Sequence, residues 1–490
     1  MSRVVVIGAG VGGLAAAARL AAVGHDVTVC EQAPTVGGKL GWVTHQTDAG
    51  AHGFDTGPSL VTMPQVFTEL FAATGDSLDS VLTLRRTTLP RARFADGTVM
   101  ATATTAADFL AGLDGPARQQ WQSFTSRAER IWDATHGAFL ESPLGSPAAV
   151  ARLLLRRPAA LATVAPWRSL RGLGASYLTD PHLRTLLDRY ATYTGSDPRR
   201  APAALAVVPF VEQRFGAWYV DGGLHRLALA IRDRATEGGA RVRTGTDVTA
   251  VATAGGRVSG VLLADGSRLP ADVVVANTAA AHLSGDLIAR PRLAARARSR
   301  ASASGFALLL AVRGRTPGLA HHEVFFPADY DREFDGLRTG AAPLPDPAVY
   351  LSVPPDPAVA PSGGESWFVL VNAPRHGTGR AEIDWDAPGL AQTYADRVLA
   401  VLAARGLDVR DRVTHCGVRS PAHLARATRA VGGAIYGTSS DGARAAFLRP
   451  ANRSPVPGLF LVGGSAHPGG GLPLVALSAR IVAGLVGPAA

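Results

Sequence analysis

The chain opens on Arg3 to Ile7 (RVVVI), a nearly continuous β-branched run of the kind a parallel strand buried on both faces requires. It runs straight into Gly8-Ala9-Gly10-Val11-Gly12-Gly13, then into an Ala-rich helix former from Leu14 to Val23 that Gly24 ends. His25 to Cys30 (HDVTVC) reads as a second strand, closed by Glu31. This order predicts a βαβ start to an α/β sheet.

Further along the pattern changes several times. Asp76 to Thr105 alternates short apolar runs with Gly and Asp turns, and predicts strands of a second sheet. Ala106 to about Gly195 is helical, carries Trp121, Trp132 and Trp167, and is broken into short helices at Pro143, Pro147, Pro158 and Pro166. Beyond Ala217 to Gly223 (AWYVDGG) come a helix to Glu237 and strands at Ala240 to Arg243 and Asp247 to Ala252. Hairpins through Gly255-Gly256 and Asp265-Gly266 follow, then a buried strand from Ala271 to Asn277 (ADVVVAN). Asp286 to Thr414 holds further strands at Gly305 to Val312, Ala348 to Val353 and Ser366 to Asn372. The last strand, Gly458 to Gly463, enters a Gly-rich turn from Gly464 to Pro473 (GSAHPGGGLP) and a helix from Leu474 to Val486.

The predicted fold is α/β, with a doubly wound cofactor domain assembled from distant segments: residues 1–75, 215–285 and 425–490. A mixed β-sheet substrate domain takes 76–110 and 286–424, and a helical, membrane-proximal cap takes 111–214. Within the cap, Ala151 to Gly174 interleaves Arg152, Arg156, Arg157, Arg168 and Arg171 with leucines and Trp167. That pattern suits the surface of an anionic bilayer and equally suits a solvated basic face.

Composition narrows the class. The 490 residues are 47% hydrophobic and 18% charged, which excludes wholesale disorder. Two cysteines, Cys30 and Cys416, cannot build a disulfide framework or a thiolate metal cage, so a reduced intracellular protein is expected. The net charge of +10 invites a nucleic-acid reading, yet of the 49 basic residues only Lys39 is a lysine. That bias is compositional, and no basic arm or aromatic-studded basic strand accompanies it; nucleic acid is not an expected partner. No run of 18 or more apolar residues suggests a membrane span. The apolar N-terminus is punctuated by glycines and reads as strand-turn-helix rather than as an export signal.

The chemistry sits in the glycines. Gly8 permits a tight turn, Gly10 lets backbone approach a pyrophosphate, and Gly13 lets helix and strand pack closely. Gly12 belongs to the same turn, whose helix N-terminus offers N–H groups and a positive dipole end. Glu31 stands where a carboxylate accepts ribose hydroxyls. A second pair, Gly37-Gly38-Lys39, and then Phe54-Asp55-Thr56-Gly57-Pro58, would lie against a longer second half of a dinucleotide. A simple nicotinamide site gives no reason for it. His321-His322 is tempting as a metal pair, but adjacent strand side chains are expected on opposite faces and no further ligands are suitably spaced. No metal is expected.

Glu31 with Gly37-Gly38-Lys39 resembles the flavin-containing amine oxidase superfamily, which implies FAD. Along almost the whole chain the similarity is to the bacterial carotenoid (phytoene) desaturase family. It is carried by those segments together with Phe54 to Pro58, Trp218 to Gly223, Leu319 to Phe326, Phe447 to Pro455 and Val462 to Pro473. The resemblance implies cofactor contacts from Asp55, Gly57, Pro58, Val248, Gly463, Gly464, Gly471, Leu472 and Pro473, with Val248 on the adenine side. It further implies a carotenoid or isoprenoid hydrocarbon substrate and peripheral contact with the cytoplasmic membrane. The reaction would insert C=C bonds, a hydride passing to the flavin, which carries the hard step. His467 is the residue named for the proton.

Ser465 and Ala466 replace the acid that commonly follows the strand Gly in amine oxidases, so an amine substrate is not expected. Val220-Asp221 and Pro473-Leu474-Val475 depart from the phytoene desaturase pattern. They leave open a later step on hydroxylated or methoxylated carotenoids, or oxygen insertion. A flavin-dependent isomerase and a non-enzymatic isoprenoid carrier are the competing classes.

Overall fold

A computed structural model describes residues 1–143, 158–340, 342–442 and 449–489. Pro147, Arg152 to Arg157 and Phe447, singled out from the sequence, lie outside the described residues.

The βαβ start is formed by β1 (Arg3–Ile7), α1 (Val11–Ala22) and β2 (Asp26–Cys30). They belong to a five-stranded parallel sheet in the order Leu459–Leu461, Val273–Ala276, β1, β2, Arg241–Arg243. Alternation along the buried strands sorts the two faces. Val4, Val6, Val27 and Val29 pack against α1 and the helices His225–Glu237 and Leu472–Val486. Val5, Ile7 and Cys30 face a three-stranded antiparallel meander, Val248–Ala254, Arg257–Leu263 and Arg268–Pro270, through Val248, Val251 and Val261. The second layer of this α/β sheet is therefore largely a β-meander, formed where the sequence shows its two Gly hairpins.

A second sheet has six strands, ordered Val413–Arg419, Ser304–Arg313, Gly364–Ala373, Val349–Ser352, His322–Phe325 and Arg91–Arg93. One face, including Phe306, Leu308, Leu310 and Trp367, buries the helix Leu390–Ala404 through Tyr394, Val398 and Leu402. The other presents Ala307, Leu309, Ala311 and Phe368 towards Phe54 and Val43 of the hairpin Trp42–Thr47/Gly50–Asp55.

The helical region packs against this sheet. Its longest helix, Gly115–Thr135, is capped by Asp114, whose Oδ1 accepts the Ala117 N–H at 2.8 Å. It buries Trp121, Phe124, Ala128 and Ile131, spaced three or four apart, against Leu183, Leu186, Leu187 and Tyr190 of Pro181–Thr192.

Two expectations are corrected. Asp76 to Thr105 does not supply several strands to the second sheet. Leu84–Thr87 pairs instead with Ala217–Val220 in a separate ribbon, and only Arg91–Arg93 reaches the sheet, parallel to His322–Phe325. Charge explains the attachment: Arg91 Nε and Arg93 Nε each donate at 2.9 Å to the carboxylate of Glu323, which is 0% exposed. The other correction concerns His321 and His322. Their rings do not point apart but stack, centroids 4.0 Å apart at 14°. His321 precedes the strand, so strand alternation does not govern it.

Removing one side of a buried ion pair leaves the other charge uncompensated, which costs about 3–5 kcal/mol. Glu323→Ala should lower the thermal unfolding midpoint accordingly, whereas substitution of the exposed Asp48 should leave it unchanged.

Candidate functional site

One cavity of about 1050 Å³ runs between the parallel sheet, the second sheet and the helical region. Its volume stands at the upper end for small-molecule and cofactor sites. One arm is lined by Gly8, Gly10, Gly12, Glu31, Gly37, Gly38, Lys39, Gly57, Pro58, Val248, Gly464, Gly471, Leu472 and Pro473. The chain thus brings together residues from both of its ends.

Local geometry accounts for the glycines. Gly37 N–H donates to Ala9 O at 2.9 Å, laying the second Gly pair on the first. A Cβ on Gly38 would stand 3.2 Å from Gly10 Cα, and one on Gly13 only 2.1 Å from Gly8 O. Gly13 is accordingly a packing residue beneath the turn and does not line the cavity. Gly463 behaves the same way: at φ +91°, its Cβ would meet Asn277 Oδ1 at 2.3 Å.

Asn277 escapes a reading by motif. It follows the strand Val273–Ala276, donates from Nδ2 to Gly8 O at 3.2 Å, and fills the space that a Cβ on Gly10 would invade at 2.9 Å. The only sequence signal was its place at the end of a buried strand.

Glu31 lines the cavity while its carboxylate accepts N–H groups of Ala9 (2.7 Å) and Ala33 (2.9 Å). Those bonds orient it and leave further lone pairs for hydroxyl donors. Lys39 Nζ donates to the carbonyls of Ala434 (2.8 Å) and Ile435 (2.9 Å), and burial lowers its pKa to about 8.

Asp55 is not on the cavity wall. Its carboxylate accepts the N–H groups of Leu224 and His225, both at 2.8 Å, and so caps the helix His225–Glu237. Burial raises its pKa to about 7.

His467 does not reach the wall either. The ring is buried, its Nε2 lies 3.1 Å from Ser142 O, and Phe139 meets it edge-on with centroids 4.9 Å apart. Its carbonyl accepts from Asn452 Nδ2 and Ser478 Oγ, both at 2.8 Å, pinning the Gly-rich turn to the last helix. The geometry is that of a turn anchor, not of a proton acceptor facing the cavity.

The other arm is walled by Trp132, Leu140, Leu161, Val207, Val208 and Val211 from the helices, and by Ala307, Phe368 and Leu370 from the second sheet. Such a lining suits an apolar ligand.

Burial lowers the His467 pKa from 6.5 to about 4. The unfolded chain therefore binds this proton between pH 6.5 and 4 while the folded one refuses it, and stability is lost as pH falls through that window. His467→Gln should flatten the stability-against-pH curve between pH 6.5 and 4, measured by denaturant unfolding at fixed pH values.

The family described as flavin containing amine oxidoreductase matches residues 11–376. A hydroxyneurosporene desaturase of Cereibacter sphaeroides is 35% identical over 98% of this chain and 96% of its own. A 4,4'-diapolycopene oxygenase of Methylomonas is 33% identical, covering 98% and 97%. Among solved structures, a double mutant of putrescine oxidase aligns with a TM-score of 0.65 at 15% identity, covering 99% of this chain and 98% of that one. The cradle of glycines, the helix end and the acid at the wall fit the adenine dinucleotide that such enzymes carry. The chain belongs to the carotenoid desaturase family within the flavin-containing amine oxidoreductases and is an FAD-dependent oxidoreductase.

Proposed function

We propose that the chain is a carotenoid desaturase, inserting C=C bonds into a long acyclic polyene, phytoene-type or further desaturated, that lies in the apolar arm. The observation that carries this reading is a single cavity lined both by the glycines of the two Gly-rich turns and by apolar side chains of the helices and the second sheet. Gly8, Gly10, Gly12 and the N-terminus of α1 would hold the pyrophosphate, and Glu31 the ribose. Val248 would touch the adenine side, and Gly464 and Gly471 to Pro473 would meet the flavin ring. When bound, FAD supplies the hydride acceptor. The chain's own residues orient the polyene and keep water out.

Entry from a bilayer suits the same arrangement. Leu161, Val164 and Pro166 line the cavity, and the adjoining Trp167 is 66% exposed, a placement that favours a peripheral position at the cytoplasmic membrane. Among the described residues, no helix is long and apolar enough to cross a membrane. A later step on a hydroxylated carotenoid is a second reading, supported by relatives named hydroxyneurosporene desaturase in three organisms.

Incubation of the FAD-loaded protein with phytoene or neurosporene in liposomes should give products lighter by pairs of hydrogens. Conversion between isomers at constant mass would refute the desaturation reading. Gly13→Ala and Asn277→Leu should each weaken FAD retention about tenfold or more, a penalty of only 1.4 kcal/mol being enough. Visible flavin absorbance of the purified variants measures it.

A further inference from the structure

An apolar arm has no need of a charge, yet a guanidinium stands in its wall. Arg189, on the helix Pro181–Thr192, lines the cavity and is 7% exposed. Its Nη1 donates to the Tyr193 hydroxyl at 2.9 Å. Its charge also lies 4.9 Å from the centre of the Tyr193 ring and 5.7 Å from that of Tyr350. Among the described residues no carboxylate pairs with it directly. Its counter-charge is Glu212, 1% exposed, which accepts the hydroxyl protons of Tyr190 (2.7 Å) and Tyr193 (3.0 Å).

This chain of bonds has a direction. The Tyr193 hydroxyl donates to Glu212, so its lone pairs are left to accept from Arg189, and one edge of the guanidinium is fixed. The fork carries five N–H donors, and no other bond from it is made among the described residues. A buried cation with most of its donors unmade among the described residues is expensive. A ligand bringing an acceptor into the cavity would complete it.

The surroundings restrict that acceptor. Tyr350, the neighbouring hydroxyl, is already bonded to Ser59 Oγ (2.6 Å) and His322 Nδ1 (2.8 Å). Aliphatic and aromatic side chains such as Val207, Val208 and Phe368 make up much of the rest, with Thr192, Tyr330, Asn372 and Tyr436 among the polar groups that share the wall. Glu212 already stands as counter-charge, so the ligand need bring no charge of its own, and one neutral oxygen on a hydrocarbon body suits the free edge. Position restricts it further. Tyr350 ties this cluster to Ser59, which directly follows Gly57-Pro58 of the glycine-lined arm. The oxygen would then sit close to the glycine-lined arm.

We propose that Arg189, oriented by Tyr193 and Glu212, binds a hydroxyl, ether or carbonyl oxygen of the polyene and sets the preference for oxygenated substrates. The proposal rests on the carotenoid reading above and names the substrate class within it.

The test compares neurosporene with its 1-hydroxy and 1-methoxy derivatives in the FAD-loaded holoenzyme. Two quantities are read: the ratio of kcat/KM values, and the ratio of Kd values from quenching of tryptophan fluorescence, Trp132 lining the cavity. Wild type should favour an oxygenated polyene, and Arg189→Met should shrink both ratios about 10- to 100-fold, the loss of one hydrogen bond to a charged donor. Tyr193→Phe, which keeps the cation but removes its anchor, should shrink them less, and Arg189→Lys should restore part of the preference. Variants are compared at full flavin absorbance, so misfolding is seen separately.

Equal use of hydrocarbon and oxygenated polyenes by wild type would overturn the proposal. So would an Arg189→Met variant that loses both substrates in proportion, since Arg189 would then act on the reaction or the flavin. A binding preference without loss of hydrogens would instead refute desaturation and leave the role of Arg189 standing.

Discussion

The side chain of Asn277 is the point on which the two halves of the cofactor arm close. The strand Val273–Ala276 runs between β1 and Leu459–Leu461, so the residue after it lies between the two Gly-rich turns at the same end of the sheet. Backbone bonds hold it there: Asn277 N–H donates to Ile7 O at 2.8 Å, and Val462 N–H to Ala276 O at 3.0 Å. Its side-chain amide then occupies the volume that side chains at Gly10, Gly12 and Gly463 would need, and its backbone carbonyl the volume a side chain at Gly8 would need. The glycines are required less for flexibility than for room, because one amide and the approaching ligand compete for the same space.

The second arm follows from how the outer elements are tied to this core. Asp55, at the end of the hairpin strand Gly50–Asp55, caps the helix His225–Glu237 that packs on the parallel sheet. The same hairpin carries Phe54 into the second sheet. One residue thus joins two layers, and its raised pKa records the desolvation that the junction imposes. Against the second sheet the helical region completes the apolar wall. The polar groups it buries there, Arg189, Tyr190, Tyr193 and Glu212, are linked to one another rather than scattered.

The first turn was legible in the sequence because its signals are local: a β-branched run, four glycines and an acid within 31 residues. The C-terminal turn was legible for the same reason. What stayed hidden depends on contacts between distant segments. Asp55 and Gly463 belong to motifs that suggest ligand contact, and only the packed chain shows them bracing other elements. His467 shows the limit of inference by proximity along the chain: it shares a turn with cavity residues and faces away from them. Asp76 to Thr105 has the alternation of strands, but whether a strand joins one sheet or another is decided by partners such as Glu323, more than 200 residues later. Arg189 lies in a helix whose pattern gave no reason to separate it from other arginines.

The central claim is that a single cavity holds FAD in its glycine-lined arm and the polyene in its apolar arm. An experimental structure of the protein with FAD and an acyclic carotenoid tests it most directly. The account predicts a pyrophosphate at the N-terminus of α1 with Asn277 behind the turn, and a polyene along Val207, Val208 and Phe368. A polyene bound on another surface, or a flavin ring lodged in the apolar arm, would contradict it.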